Sequence, residues 1–146
     1  MLLFKTARVE DEWASPSLDP TLRELIEFLV LQAGSLFGLD VTLTCIYRSP
    51  AEDAELYHDN NHVPGVHTQW RGADVSVKDY TWAQAKQLCN VGNRRWQYDP
   101  GRPWLPCFLF ETSGDYSTAA HIHCQTDPPL TKPIDILADS EIGNAL

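Results

Sequence analysis

His67 and Asp74 lie seven positions apart, and a His121-Ile122-His123 step follows much later in the chain. Imidazole nitrogen and carboxylate oxygen are both good zinc ligands. Strand geometry favours grouping these residues, because successive side chains of a strand point to opposite faces. His121 and His123 then project together, while Ile122 and Cys124 turn toward apolar surroundings. Asp74 shares a face with Gly72 and Ser76, and Ala73, Val75 and Val77 occupy the other. Each segment sets an apolar row on one side and candidate ligands on the opposite one. A zinc site drawing on His67, Asp74 and the His121-Ile122-His123 step is therefore expected, with a partly exposed, hydrogen-bonded histidine pair as the alternative. Two neutral imidazoles and one carboxylate leave a fourth position open, and zinc in such a site acts as a Lewis acid that lowers the pKa of water toward about 7.

Other chemistry-bearing residues read more plainly. His58 and His62 sit in a polar stretch and are expected to be solvent-exposed loop histidines. Cys45, Cys89, Cys107 and Cys124 are scattered with no C-x-x-C pair, which predicts reduced, mostly buried thiols rather than disulfides or a cysteine-rich zinc site. Trp82, Trp96 and Trp104 are expected to cover core edges, with a substrate groove as the alternative.

The elements that must position these groups follow from local pattern. A short strand is expected within 2–9. Asp19-Pro20 gives a helix N-cap followed by proline at the first helical position, and Leu22, Leu25, Ile26, Leu29, Val30, Ala33 and Leu36 recur at helical spacing up to Gly38. A β-branched run over 41–47 predicts a strand leading to Arg48, and Ser49-Pro50 starts a short helix. Residues 57–68 read as a loop and 72–77 as a strand. Thr81 and Gln84 have capping-box spacing for a helix to about 91. An irregular excursion over 92–106, strands over 107–111 and 120–125, and a tail wrapping the surface from 127 complete the chain. Strands and helices do not alternate strictly, which favours an α+β fold, a small mainly antiparallel sheet with flanking helices, over a doubly wound parallel sheet.

Length and charge narrow the function. The 146 residues suit one domain spanning 1–146. A net charge of −9 argues against nucleic acid as a partner, since phosphate binding needs clustered Lys and Arg. The same charge sits awkwardly with docking onto an anionic polymer. No stretch approaches the roughly 20 apolar residues of a membrane span, so no membrane role is expected. Glu10, Asp11 and Glu12 stand where a secretory signal would place its apolar core, which predicts a protein cytoplasmic as synthesised. A monomer is expected.

Beyond these patterns, His67 to Asp74 resembles the H-x-x-G-x-A-x-D-type ligand segment of the hedgehog/DD-peptidase superfamily, in which the His and Asp bind zinc. Ala120-His121-Ile122-His123-Cys124 resembles the matching stretch of the hedgehog signalling domain, whose second His is the third ligand. Tyr47-Arg48-Ser49 resembles the Tyr-Arg-Ser segment of D-Ala-D-Ala carboxypeptidases and phage L-alanyl-D-glutamate endopeptidases. The resemblance implies a hedgehog/DD-peptidase-like fold and a zinc peptidase that cleaves peptidoglycan stem peptides containing D-amino acids. It gives Arg48 the task of holding a substrate carboxylate or carbonyl oxygen, for which its planar fork is shaped. His121 would stabilise the developing oxyanion or support His123.

The sequence departs from that pattern at several positions. Ala120 stands three residues before the last ligand and Ser117 six before it, where relatives carry a carboxylate. Asp115, in the Ser113-Gly114-Asp115 turn, is the expected general base, and Glu111 ends the preceding strand. Trp70 replaces the usual Gly and Val66 a frequent Ser. These departures motivate the alternative of a non-catalytic zinc-containing binding module like the hedgehog signalling domain. A phage-type lysis protein released to the wall and a cytoplasmic enzyme trimming recycled wall peptides both fit the absence of a signal.

Overall fold

The structure, a computed structural model, describes residues 1–57, 65–112 and 119–134. The chain runs β1 (Leu2–Phe4), α1 (Ala7–Trp13), α2 (Pro20–Phe37), β2 (Val41–Cys45), α3 (Pro50–Leu56), a 3-10 turn (Val66–Gln69), β3 (Gly72–Ser76), α4 (Trp82–Arg95), β4 (Trp96–Gln97), β5 (Phe108–Glu111), β6 (His121–Gln125) and β7 (Lys132–Pro133). Helix starts follow the caps in the sequence. The Asp19 carboxylate accepts from the Leu22 N–H at 3.2 Å, and Gly38 ends α2 in the left-handed conformation that glycine adopts freely. Ser49 with Glu52, and Thr81 with Gln84, close reciprocal capping boxes on α3 and α4.

Three boundaries differ from expectation. The first strand stops at Phe4 because the Thr6 hydroxyl accepts from the Val9 N–H at 3.2 Å and opens α1. Helix α4 continues to Arg95, beyond the expected end near 91. There the Asn93 side-chain Oδ1 accepts from the Cys107 and Phe108 N–H groups, both at 3.0 Å, so the last turn is tied to the start of β5. The expected irregular stretch contains β4, which pairs antiparallel with β7, and the expected tail beyond 134 lies outside the described residues.

The main sheet has the order β1-β2-β3-β6-β5. Among the described residues β1 and β2 run parallel and the other pairs of this sheet are antiparallel, giving an α+β architecture with a mainly antiparallel sheet. One face is apolar: Val41, Leu43, Ala73, Val75, Phe108, Ile122 and Cys124 are buried. They join Leu22, Leu25, Ile26 and Leu29 of α2 and Ala85 and Leu88 of α4 in a single hydrophobic cluster. Alternation then obliges Thr42, Asp74, Ser76, His121 and His123 onto the opposite face. The Asp19 carboxylate that caps α2 also accepts a 2.5 Å hydrogen bond from the Thr126 hydroxyl, just past β6. No helix among the described residues is long and apolar enough to cross a membrane.

Helix α4 lies close on β5 because Gly92 has no side chain. A Cβ there would stand 2.5 Å from two ring carbons of the buried Phe108. Gly92→Ala is expected to destabilise the fold by about 1–3 kcal/mol, overpacking outweighing the helix propensity gained. A urea titration measures this, and an unchanged midpoint would disprove so close an approach.

Candidate metal centre

His67 is presented by the 3-10 turn at Val66–Gln69, which lies against the start of β3. A Cβ on Gly72 would meet Val66 Cγ2 at 2.5 Å, so glycine there lets the turn pack onto the strand. The turn ends at Trp70 with φ 59°, a left-handed conformation costly for a bulky residue. This is the position where the resembling motif carries glycine. The Trp70 ring stacks on Tyr47 with centroids 4.5 Å apart and an interplanar angle of 9°, a contact that offsets part of the strain.

The three residues singled out as ligands converge. Asp74 lies opposite His123 in the β3–β6 ladder, and Ser76 lies opposite His121. Asp74 Oδ1 is 3.0 Å from His123 Nδ1, 3.3 Å from His67 Nε2 and 3.7 Å from His121 Nε2. His67, Asp74 and His121 are buried, and His123 is half-buried.

The partners of the remaining ring nitrogens fix what faces the carboxylate. His67 Nδ1 lies 2.8 Å from the Ile46 carbonyl, which only accepts, so Nδ1 carries the proton and Nε2 presents its lone pair. His123 Nε2 lies 3.2 Å from Gln125 Oε1, and the Gln125 amide is oriented by donating to the Pro106 carbonyl at 2.9 Å. His123 therefore turns the lone pair of Nδ1 toward Asp74. His121 Nδ1 likewise donates to the Ala119 carbonyl at 2.9 Å. Three ring nitrogens and a carboxylate oxygen, all acceptors, face one point, and such a cluster requires a cation: protons in the bare protein or a metal ion. The electrostatics agree. Burial alone would depress the basicity of His67, yet its contacts with Asp74 and Cys45 push its pKa up to about 10. Burial alone would raise Asp74, yet hydrogen bonds from His123 and His67 hold it well below the ordinary carboxylate range.

Sequence reasoning missed Cys45. Simple alternation from Val41 and Leu43 sends it into the core, but the β2–β3 register slips between Leu43 and Cys45, so that Cys45 pairs with Asp74. Such an irregularity re-aims a side chain. Cys45 Sγ comes to 3.7 Å from His67 Nδ1, and Cys45, His67 and Asp74 form a group whose ligand atoms all lie within 4.8 Å of one another, suited to a metal ion. Cys89, Cys107 and Cys124 are buried thiols as expected, and burial raises the pKa of each.

A cleft of about 560 Å³ opens beside the centre, lined by Asp74, Cys45, His121 and Arg48 among others. Arg48 is held at its edge by a 3.3 Å pair with the buried carboxylate of Asp53 and by its backbone N–H on the His67 carbonyl. His121 Nε2 also meets Glu111 Oε2 at 3.0 Å across the β5–β6 pair. Asp115, His58 and His62 lie outside the described residues. Trp82 packs edge-on against Phe110, whereas Trp96 and Trp104 line a different, smaller cavity of about 190 Å³. Comparison with protein-family models, curated proteins and solved structures gave no match.

The Gln125 amide is expected to matter for metal affinity although it faces away from the centre. Gln125→Leu removes the acceptor that sets the His123 tautomer and should weaken divalent metal binding about 10–100-fold. Competition with a chromogenic chelator measures it, and undiminished affinity would refute the tautomer assignment.

Proposed function

We propose that the chain is a zinc-dependent peptidase of the hedgehog/DD-peptidase type, acting on D-amino-acid-containing peptides of bacterial peptidoglycan. The observation that carries this reading is the convergence of three imidazole nitrogens on one buried carboxylate, beside a cleft that Arg48 also lines. His67, Asp74 and His123 would hold the metal. Imidazole and carboxylate donors suit zinc, and the two outer ring contacts, on Ile46 and Gln125, fit the neutral tautomers that ligation needs. When bound, zinc supplies a Lewis acid for the scissile carbonyl and for water.

The rest of the chemistry falls to side chains of the chain. Arg48, fixed through Asp53, orients a carboxylate or carbonyl of the peptide in the cleft. With Nδ1 of His121 committed to the Ala119 carbonyl, the 3.0 Å contact between His121 Nε2 and Glu111 needs a proton between them. Glu111, half-exposed and adjacent to the centre, is the carboxylate placed to take a proton from attacking water, and His121 is placed to stabilise the oxyanion. This assigns Glu111 the role that the sequence had suggested for Asp115.

His67→Ala should lose both stoichiometric zinc and release of peptides from purified peptidoglycan, followed by mass spectrometry. Hydrolysis surviving in that variant would end the proposal. Glu111→Gln should keep its zinc and lower kcat by about 10²–10⁴.

Cys45 favours a second reading. Its thiolate as a fourth ligand would close the coordination sphere, the arrangement of structural rather than catalytic zinc. The chain would then be a non-catalytic zinc-containing binding module. Cobalt substitution separates the readings: a thiolate-to-cobalt charge-transfer band, absent in Cys45→Ser, supports the closed site, and its absence supports the open one.

A further inference from the structure

Basic side chains gather at the cleft of a chain that is acidic as a whole. Of 11 basic residues against 20 acidic ones, Lys5, Arg48 and Lys78 line this one cleft, whereas Asp74 is its lining carboxylate. Asp74 is already surrounded by three imidazoles. Arg48 is already paired with Asp53, as Arg8 is with Glu12 and Glu52, Arg102 with Asp99 and Asp127, and the N-terminal amine with Asp40. Among the described residues no carboxylate pairs with Lys5 or Lys78.

Topology sets these lysines away from the centre. Lys5 follows β1 and donates its backbone N–H to the Leu43 carbonyl at 2.9 Å, two strands across from Asp74. Neighbouring strands lie about 4.8 Å apart, so Lys5 begins roughly 10 Å to the side. Lys78 stands four residues beyond Asp74, at most about 13 Å at the rise of a strand. An extended peptide advances about 3.3–3.6 Å per residue, so these backbone separations match roughly three to four residues from a group held at the centre. Basic side chains lining a cleft in an acidic chain favour an anionic ligand there.

We propose that Lys5 and Lys78 form an anion subsite, and that the ligand is a peptide bearing a carboxylate about three residues from the bond at the metal centre. The subsite rests on the peptidase reading for the identity of the ligand as a peptide. The substrate then binds at two points: through its reacting bond at the centre and through a remote acid at the lysines.

Calorimetric titration of the zinc-loaded full chain tests it. The probes are two acetylated, D-alanine-containing pentapeptides, identical except for one glutamate replaced by glutamine three residues from the D-alanine. The acidic peptide should bind about tenfold tighter at low salt, and about 0.5 M sodium chloride should erase most of that preference. Lys5→Gln/Lys78→Gln should abolish the preference while zinc content and melting temperature stay unchanged. Equal binding of the two peptides, absence of binding by either, or a preference that survives in the double variant overturns the subsite. Selective binding without cleavage sinks the peptidase reading and leaves the subsite standing. Cleavage of both peptides with equal kcat/KM does the reverse.

Discussion

A carboxylate removed from water must be given positive partners or lose its charge, and Asp74 is such a group. The arrangement around it follows from that requirement. Three imidazoles reach its Oδ1, each with its outer nitrogen anchored on a carbonyl or amide oxygen. Whatever cation occupies the centre, the surrounding protein has already oriented the rings before it arrives. Orientation of this kind, rather than the number of ligands, makes a cluster of histidines a site.

The sheet supplies the geometry cheaply. Antiparallel pairing of β3 with β6 sets Asp74 opposite His123 and Ser76 opposite His121, so two short strands deliver three of the four converging side chains. The apolar alternates, Ala73, Val75, Ile122 and Cys124, are sealed against the helices, which holds the polar row in place. The face that binds is therefore built by the face that packs. Only His67 comes from outside the ladder, and its turn is seated by the missing side chain of Gly72.

Much of this was legible in the sequence because it depends on period and on local caps. The α+β class, the capped starts of α2, α3 and α4, and the common face of Asp74, His121 and His123 all follow from alternation and from hydrogen bonds a few residues apart. What escaped needed long-range information. Cys45 reaches the site through a slip in the pairing of β2 with β3, which no period within β2 announces. Glu111 meets His121 through the register of β5, set by a partner strand. The extra turn of α4 depends on Asn93 bonding to a strand far along the chain.

The hydroxyl of Thr126 and the first turn of α2 share one carboxylate, that of Asp19. A group serving two masters couples them: the strand that carries His121 and His123 cannot peel away at its end without also loosening the start of the longest helix. Fraying, normally independent at separate chain ends, is here a joint event, and the ligand strand inherits the rigidity of the hydrophobic core behind it.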